Sequence, residues 1–344
     1  MAPLGLGVIS GAETGILAVY SLSLLPRPGR RMRFVRLILA IVLLACVAAL
    51  VTYRVSDPER RALTDEARAA APGRFVRLVD GVTHYETAGP DTGRVVVLAA
   101  AFSVPAYLSD SLFQRLGRAG FRAVRFDYYG RGWSDRLDTT YGLDLFVRQM
   151  AGLLDSLGAR GPVDVVGLSF GAAIVTDFAD RHPGRVRSLV YIDPVFNRGR
   201  PLPPRERTAY AWDWYMVFRG GTDAMAESQL DDFLHPERHP DWVERYRVQQ
   251  QFKGTREAWR RTRAAIAVAP HQEEQIRRVG ASPRPVLVVW GRQDTGADIA
   301  ESDALLGAMP RATLVAVDSA GHLPHLEQPD VVVPAVVSFL REQP

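Results

Sequence analysis

The stretch Gly167-Leu168-Ser169-Phe170-Gly171 decides the fold of this chain. It follows an apolar run, Val163 to Val166, that is typical of a buried strand, and it precedes an apolar helical pattern from Ala172 to Ala179. A serine at such a strand-to-helix turn lies on a sharp bend with its hydroxyl held above the sheet edge. Glycines two positions to either side remove side chains that would collide with the strand or the helix. The pattern therefore predicts a nucleophile, Ser169, on an α/β fold.

His322 is the predicted base. A serine hydroxyl is a weak nucleophile at neutral pH, so it needs a histidine to accept its proton and an acid to orient that histidine. His322 follows an alternating strand pattern, Ala312 to Asp318, and a loop at that position reaches the sheet edge where Ser169 is expected. A surface loop histidine is the alternative interpretation. His325 competes for the role, although its place at the start of a helical segment favours capping or packing.

Asp294 is the predicted acid, because it lies between the serine and the histidine in the chain order expected for this kind of turn. The apolar run Pro285 to Trp290 predicts a buried strand, and Asp294 follows its carboxyl end, where catalytic groups of open α/β sheets collect. Asp298 is close in sequence, and Asp193 follows another predicted strand, Ser188 to Ile192, so either is an alternative. A purely turn-forming role for Asp294 is the structural alternative.

Acyl transfer also requires N–H donors for the negative oxygen that forms on the substrate. Two backbone groups are predicted. One is the N–H of Phe170, directly after the nucleophile, and the other is the N–H of Phe102, in the loop after the apolar run Val95 to Leu98. The mechanism needs no metal or organic cofactor.

Taken together, these motifs resemble the α/β-hydrolase superfamily, and most of all its bacterial lipase- and esterase-like branch, often described as lysophospholipase- or monoacylglycerol-lipase-like. The resemblance runs from about Phe75 to Leu340 and implies an α/β-hydrolase fold, with a mostly parallel central sheet, flanking helices and a helical cap. It rests on several motifs in order: Phe102-Ser103-Val104-Pro105, Asp127 to Asp135, the Ser169 turn, Trp290 to Asp294 and Gly321-His322. The stretch Asp127 to Asp135 is predicted to be a structural loop, with Tyr128 or Trp133 lining the pocket as the alternative.

One departure from the family pattern concerns the predicted oxyanion loop. The family usually has His-Gly before the donor residue, and this chain has Ala100-Ala101. Loss of the glycine is expected to restrict the backbone, and loss of the histidine removes a side chain that commonly braces the loop. We therefore expect lowered but not abolished activity, and faster hydrolysis of small esters when His-Gly is restored.

The composition excludes several other classes of protein. The chain has 344 residues, 47% hydrophobic and 23% charged, enough for one sizeable core. Strand and helix patterns alternate from about residue 75 onward, which favours a mostly parallel sheet. The net charge of +4 is scattered, so no nucleic-acid partner is expected, and no nucleotide-binding fingerprint is present. A single cysteine, Cys46, excludes an internal disulfide and a cysteine-rich metal site.

The N-terminal region predicts a transmembrane signal anchor. Leu37 to Val51 is an uninterrupted apolar run, long enough to span a bilayer, and arginines precede it at positions 27, 30, 31, 33 and 36. Arginines of this kind stay in the cytoplasm, so the following domain is expected on the extracytoplasmic side. A cleaved signal is the rival, since Leu43 to Cys46 resembles a lipoprotein cleavage box, and a buried core helix is the third alternative.

The expected organisation has six segments. In chain order they are a poorly patterned extension (1–31), the signal anchor (34–53), a helical or flexible stalk (54–73), a first part of the hydrolase core (74–195), a helical cap (196–280) and a second part of the core (281–344). Met32 begins a compact charged-then-apolar stretch, so a true start there is a hypothesis. N-terminal sequencing tests it, and peptides from residues 2–26 would refute it.

The cap is rich in aromatic residues, which suggests an apolar pocket for acyl chains. Candidate pocket residues are Trp212, Trp214 and Tyr215 in the cap and Trp133 in the core, with ordinary helix packing as the alternative. The later stretch, Trp242 to Arg263, is rich in arginine and glutamine and predicts a solvated helix face.

The sequence thus predicts a serine hydrolase that cleaves a small-molecule ester or lipid with a hydrophobic acyl group. An amide, thioester or carbon–carbon bond hydrolase would use the same residues. A membrane-tethered binding protein on an inactive hydrolase fold is the alternative from another class. Dehalogenases and epoxide hydrolases of this fold use an aspartate nucleophile, and Ser169 argues against them. Nothing in the sequence indicates the oligomeric state.

Overall fold

The structure is a computed structural model that describes residues 29–199 and 201–343. The chain divides between Val55 and Ser56 into an N-terminal unit and a second unit, here called the main unit. The described part of the N-terminal unit consists of α1 (Arg30–Ser56), whose 27 residues include none that is buried. At about 1.5 Å per residue, it is long and apolar enough to cross a membrane. The segment expected at 1–31 lies outside the described residues, except for its last three.

The main unit is built around an eight-stranded sheet. The strands are β1 (Arg74–Arg77), β2 (Val82–Ala88), β3 (Val95–Ala99), β4 (Arg122–Phe126), β5 (Val163–Leu168), β6 (Val186–Ile192), β7 (Val286–Gly291) and β8 (Ala312–Val317). Their order across the sheet is β1-β2-β4-β3-β5-β6-β7-β8. The pairs β1–β2 and β2–β4 are antiparallel and all the other pairs are parallel.

The central parallel strands β3, β5, β6 and β7 are buried because helices cover the sheet, and this is why they read as continuous apolar runs rich in valine. Strand β5 is buried along its whole length between β3 and β6. The carboxyl ends of β3, β5, β6, β7 and β8 therefore meet at one edge of the sheet. This arrangement confirms the predicted α/β-hydrolase fold with a mostly parallel central sheet.

Twelve helices are described in the main unit in addition to short 3-10 turns. They are α2 (Asp65–Ala69), α3 (Asp110–Arg118), α4 (Leu143–Ser156), α5 (Gly171–Arg181), α6 (Ala209–Phe218), α7 (Gly221–Glu227), α8 (Trp242–Gln250), α9 (Thr255–Val268), α10 (Glu273–Gly280), α11 (Ser302–Ala308), α12 (Pro324–Glu327) and α13 (Pro329–Glu342). Helices α6 to α10 all fall between β6 and β7, so the helical insertion lies where the sequence places the cap.

The segment expected to be a stalk, 54–73, is attached to the main unit rather than free. The carboxylate of Asp57 pairs with the guanidinium of Arg256 at 2.6 Å, and Arg61 forms a backbone bridge with Phe252. Glu59 accepts hydrogen bonds from the backbone N–H groups of residues 254 and 256. These charged residues have partners in the cap, and a stalk prediction based on their polarity alone is wrong for this stretch.

Candidate active site

Ser169 lies on a strained turn between β5 and α5. Its φ of 51° is in the left-handed region, which residues with a side chain rarely adopt. A side chain at Gly167 would come within 2.7 Å of the backbone of Ala172, and one at Gly171 would collide with the carbonyl oxygen of Ala99. Both glycines are therefore required for the close approach of strand, turn and helix.

The structure brings Ser169, His322 and Asp294 together as a hydrogen-bonded series. The hydroxyl Oγ of Ser169 lies 2.8 Å from Nε2 of His322, and Nδ1 of the same ring lies 2.7 Å from Oδ2 of Asp294. The second carboxylate oxygen of Asp294 accepts hydrogen bonds from the N–H groups of Gly296, at 2.7 Å, and Ala297, at 2.9 Å. The carboxylate is thus oriented by its own loop and in turn orients the imidazole.

The electrostatics of this pair suit a base that is poised to accept a proton. Burial lowers the pKa of His322, but the hydrogen bond and the negative charge of Asp294 outweigh burial, and the pKa lies above its ordinary value. Burial alone would raise the pKa of Asp294, and the contacts with His322 reverse this and hold it below its ordinary value. Asp294 is therefore ionised at neutral pH. Its negative charge stabilises the protonated form of His322 once the ring has accepted a proton from Ser169.

A second carboxyl group, that of Asp193 after β6, lies beside this pair. One oxygen of Asp193, one of Asp294 and a ring nitrogen of His322 all lie within 4.8 Å of one another. Asp193 is fully buried at a φ of 42°, and its Oδ1 accepts a hydrogen bond from the N–H of Gly291 at 2.8 Å. Burial, and then the charge of Asp294, raise the pKa of Asp193 well above its ordinary value. Both effects favour the uncharged form of Asp193, and Asp294 is the residue bonded to His322.

The other two competitors have structural contacts. Asp298 is exposed, and its Oδ1 accepts a hydrogen bond from the N–H of Ala300 at the start of a 3-10 turn. His325 is fully buried, with Nε2 2.9 Å from the carbonyl oxygen of Leu108. Burial lowers the pKa of His325 to about 4, so it is a neutral core residue.

The predicted oxyanion donors, Phe102 and Phe170, lie side by side at Ser169. Their rings make an edge-to-face contact with centroids 5.4 Å apart, and both residues line the cavity that contains Ser169. Within the described part of the chain, no hydrogen bond occupies the backbone N–H of either residue. Both groups are therefore available to a substrate oxygen.

The loop that carries Phe102 is braced from the stretch Asp127 to Asp135. The hydroxyl of Tyr128 donates to the carbonyl oxygen of Ala100 at 2.8 Å, and Nε of Arg131 donates to that of Phe102 at 3.0 Å. Arg131 is only 2% exposed, and its guanidinium carbon lies 5.2 Å from the centroid of the Phe102 ring. The bracing expected from a histidine is thus supplied by two other side chains.

Ala101 is not strained. Among the described residues that are not glycine, only Ser169, Asp193 and Ser319 have a positive φ. Ala101 therefore has an ordinary negative φ, which alanine adopts as easily as glycine does. The expected restriction of the backbone is absent, and with it the reason to expect a faster enzyme when His-Gly is restored.

Ser169 opens into a cavity of about 240 Å³. Its apolar lining comes from Phe102, Phe170, Pro194, Val195, Phe196, Trp259, Ile266 and Ala297. The two arginines in the lining are both paired, since Arg198 forms two hydrogen bonds with Glu301 and Nε of Arg263 lies 3.0 Å from Glu206. The lining beside the serine is therefore mostly apolar, and each of its two arginines has a glutamate partner.

Trp133 and Trp212 do not line this cavity, so their prediction as pocket residues is wrong. Trp133 lines a separate cavity of about 210 Å³ and packs on Phe252. Trp212 is 2% exposed and stacks on Trp259, with ring centroids 5.1 Å apart and planes at 4°. Trp212 thus packs on Trp259, which lines the cavity, and does not line the cavity itself.

Trp214 and Tyr215 do not line it either. Trp214 is 56% exposed on the outer face of α6, and Tyr215 packs between Gly221 and the guanidinium of Arg205. The run from 210 to 218 has aromatic or apolar residues on every side of the helix, so its pattern does not show which face turns inward.

The functional residues missed by sequence reasoning lie mainly on α9 and in the loop after β6. Trp259 and Ile266 line the cavity from α9, within or just beyond the stretch predicted to be a solvated face. That prediction is wrong for Trp242, Tyr246 and Trp259, the first two being buried. The aromatic residues of the stretch were the available signal, and the surrounding arginines obscured it.

A serine, a histidine and an acid joined at the carboxyl ends of parallel strands are the arrangement of a hydrolase with a serine nucleophile. The chain belongs to the alpha/beta hydrolase family, whose model matches residues 95–335. The resemblance noted from the sequence motifs is thereby confirmed.

Two curated relatives and one solved structure illustrate the range of activities among similar proteins. The chain is 31% identical over 235 residues to a 2-hydroxymuconate semialdehyde hydrolase from Pseudomonas putida, covering 64% of this chain and 77% of the relative. It is 26% identical to a 2-hydroxy-6-oxononadienedioate/2-hydroxy-6-oxononatrienedioate hydrolase from Pseudomonas putida, over 81% of this chain and 100% of the relative. A thermophilic esterase from Thermogutta terrifontis superposes with a TM-score of 0.67 at 25% identity, covering 78% of this chain and 99% of the esterase.

Proposed function

We propose that this protein is a serine hydrolase that cleaves a carboxylic ester with a hydrophobic acyl group. The observation that carries the proposal is the series Ser169–His322–Asp294, with contacts of 2.8 and 2.7 Å. In this arrangement the imidazole can accept the hydroxyl proton while Oγ attacks a carbonyl carbon. A structural serine or a surface histidine would not need these contacts.

In the proposed reaction, Oγ of Ser169 attacks the ester carbonyl and His322 takes the hydroxyl proton. Asp294 stabilises the imidazolium, and the N–H groups of Phe102 and Phe170 bind the negative oxygen of the tetrahedral intermediate. The carbon–oxygen bond to the alcohol then breaks and His322 returns the proton to the leaving alcohol. Water attacks the acyl-enzyme by the same route, so one ester and one water become one acid and one alcohol.

The cavity supports a neutral, apolar acyl group. Its lining beside Ser169 is mostly aromatic and aliphatic, and both lining arginines, Arg198 and Arg263, have glutamate partners. An anionic substrate group would have to compete with those glutamates for a cation. The likeness to a thermophilic esterase at 25% identity supports an ester as the substrate.

A carbon–carbon bond hydrolase is the second candidate, and the names of the curated relatives favour it. The same nucleophile, base and oxyanion donors serve that reaction. The substrate in one of those names is a dioate, which carries two carboxylates. The paired state of Arg198 and Arg263 argues against such a substrate beside Ser169 and ranks this candidate second.

Labelling with a fluorophosphonate probe tests the serine, and ester kinetics test the substrate. We expect the full chain to be labelled and the Ser169→Ala variant not to be, while Ser228→Ala, at an exposed serine of the cap, labels normally. Hydrolysis of p-nitrophenyl esters is expected to rise from acetyl to longer acyl groups.

Three results would count against the proposal. No labelling of the folded protein would favour a binding protein without catalysis. Faster hydrolysis of acetyl esters than of all longer ones would contradict the hydrophobic acyl group. A higher kcat/KM for cleavage of a 2-hydroxy-6-oxo-dienoate than for any ester would make the carbon–carbon hydrolase the better assignment.

We also propose that α1 anchors the protein in a membrane, with the main unit on the extracytoplasmic side. Its length, its apolar composition and the preceding arginines support this orientation. Alkaline phosphatase fused after residue 56 is expected to be active, because this enzyme is active only outside the cytoplasm. The intact mass of the mature protein separates an anchor from a cleaved signal, since cleavage would remove α1.

A further inference from the structure

The cap helix α6 has two different faces. It begins after Thr208, whose side chain accepts a hydrogen bond from the N–H of Ala211, and its inner face buries Trp212 and Met216 against the rest of the cap. On the outer face, Tyr210 is 91% exposed and Trp214, one turn further, is 56% exposed. Two large aromatic side chains in water, on adjacent turns of one helix, are an unusual surface for a soluble enzyme.

This outer face lies close to the start of the main unit. The unit begins at Ser56, the last residue of α1, and the next residue, Asp57, pairs with Arg256 at 2.6 Å. The same guanidinium pairs with Asp213 of α6 at 2.8 Å, and Asp213 directly precedes Trp214. A single arginine therefore joins Asp57, the second residue of the main unit, to the helix with the exposed aromatics.

Exposed arginines lie over two of the aromatic rings of α6, those of Trp214 and Tyr215. The guanidinium carbon of Arg219 lies 5.9 Å from the centroid of the Trp214 ring, and that of Arg205 lies 4.8 Å from the Tyr215 ring, with both arginines exposed. The acid on this helix, Asp213, is paired with Arg256. Aromatic side chains surrounded by arginines are the composition that binds the interface of a bilayer with anionic lipids.

We propose that the outer face of α6, through Tyr210 and Trp214, docks on the surface of the bilayer that holds α1, with the arginines at anionic headgroups. The inference rests on the proposed anchoring, and it adds that the cap itself contacts lipid. Docking in this way holds the cap at the source of apolar substrates. A second copy of the chain, or a soluble partner on the same face, is the competing outcome.

Quenching by spin-labelled lipids tests the docking with the full chain. The native Cys46 is replaced in the variant Cys46→Ser, and Trp214→Cys is then labelled with an environment-sensitive fluorophore in nanodiscs that hold one copy each. The discs contain phosphatidylcholine and phosphatidylglycerol, with or without a lipid that carries a doxyl group near its headgroup. The matched control is Val79→Cys, at a fully exposed position of the turn between β1 and β2.

We expect the doxyl lipid to quench the label at position 214 by roughly twofold or more and to leave the label at position 79 unchanged. Weaker quenching at 214 in discs of phosphatidylcholine alone would support the role of the arginines. Equal quenching at the two positions, or none at 214, would overturn the proposal. A label at 214 that is shielded only when two copies share a disc would assign the face to a second copy instead.

A label on the native Cys46 separates docking from anchoring. Cys46 lies in the middle of α1, so a lipid with a doxyl group deep in its acyl chain quenches this label if α1 spans the bilayer. Quenching at Cys46 without quenching at 214 would overturn the docking and leave the anchor intact. Absence of quenching at Cys46 would overturn both.

Discussion

At the scale of single residues, the working pH of this site depends on the contact between His322 and Asp294. Only neutral imidazole accepts the proton of Ser169, and the carboxylate 2.7 Å away favours the charged ring. Asp232, whose carbonyl oxygen accepts from the N–H of His322, adds negative charge on the same side. The contact with Asp294 therefore makes His322 a stronger base. It also lowers the fraction of His322 that is neutral at low pH.

We predict that kcat/KM for a neutral ester rises with pH through a midpoint above 6.5. The pKa of His322 is raised above that ordinary value, because the contacts with Asp294 outweigh burial. The same shift stabilises the fold below about pH 6.5, and this contribution is lost as the pH rises through the folded-state pKa. A profile of kcat/KM against pH measures the midpoint.

The variant Asp294→Asn is the control for this profile. It is expected to lower kcat roughly 10⁴-fold, since an amide no longer selects the productive tautomer. A midpoint at or below 6.5 in the unchanged protein would contradict the assignment of Asp294 as the partner that sets the pKa.

Asp193 gives a second prediction. Burial and the charge of Asp294 raise its pKa well above the ordinary value, so the fold favours the protonated form of this carboxyl group more than the unfolded chain does. A carboxyl group of this kind lowers stability as the pH rises above its ordinary value of 3.8. We expect Asp193→Asn to keep the hydrogen bond from Gly291 and to be more stable than the unchanged protein.

The gain should be larger at pH 8 than at pH 5 if the folded-state pKa is raised as proposed. Thermal unfolding at both pH values measures it, with Asp298→Asn, at an exposed carboxyl, as the matched control. A gain that does not change with pH would show that Asp193 is ionised in the fold.

At the scale of elements, the chemistry depends on hydrogen bonds between the loop after β3 and the loop after β4. The loop after β4 reaches across to the oxyanion loop with the hydroxyl of Tyr128 and the guanidinium of Arg131. Burial lowers the pKa of Arg131 to about 10, so the guanidinium is still charged at neutral pH. Among the described contacts it has no carboxylate partner, and its hydrogen bond goes to the carbonyl of Phe102.

We predict that Arg131→Gln lowers kcat about 10- to 100-fold, the equivalent of about 1.5–3 kcal/mol for a hydrogen bond from a charged group. KM is expected to change less, because Arg131 positions a donor that acts in the transition state. Affinity for a trifluoromethyl ketone, which forms an oxyanion on the enzyme, should fall in parallel with kcat.

The matched control is Arg148→Gln, at a half-exposed arginine on α4 that pairs with Asp80 and Asp144. It should leave kcat unchanged. Loss of thermal stability in Arg131→Gln without a change in ketone affinity would mean that Arg131 has a packing role only.

At the scale of the whole molecule, Arg256 connects the first residues of the main unit to the cap. It pairs with Asp57 at 2.6 Å, with Glu59 at 3.7 Å and with Asp213 at 2.8 Å. Because Arg256, Asp57 and Glu59 are largely buried, removal of the arginine leaves two buried carboxylates without this counter-charge. We therefore expect the ion pairs of Arg256 to affect both the stability of the main unit and the position of the cap relative to the first residues of that unit.

We predict that Arg256→Met destabilises the main unit by about 3–5 kcal/mol, the usual cost of breaking a buried pair. Unfolding of the full chain in denaturant, monitored by tryptophan fluorescence, measures the change. Arg277→Met, at an exposed arginine on α10 paired with Glu274, should change stability by about 0.5 kcal/mol or less. Equal effects of the two substitutions would contradict the role of Arg256.

Much of the framework was predictable because its signals are local. The strands before Ser169 and Asp294 were predicted within a few residues of their observed bounds. Buried parallel strands require continuous apolar runs, and the turn at Ser169 requires its two glycines. The signal for α1 was equally local, since an uninterrupted apolar run is recognisable without knowledge of the rest of the chain.

The rest could not be read from the sequence because it depends on which surfaces meet. An arginine-rich stretch was predicted to be solvated, yet it contributes Trp259 to the cavity, since its arginines pair with neighbouring carboxylates and leave the aromatic face free to pack. Arg131 stood in a stretch predicted to be a structural loop and was not itself a candidate, and its partner, the carbonyl of Phe102, is 29 residues away.

The sequence by itself thus determined the sheet, the serine turn and the identities of the three residues that meet there, because strand pattern and chain order define them. Only the tertiary structure decided which side of α6 turns inward, which side chains brace the oxyanion loop and why Asp294 rather than Asp193 is the acid bonded to His322. These depend on packing between segments far apart in the chain, and burial and charge at such contacts have no local sequence signal.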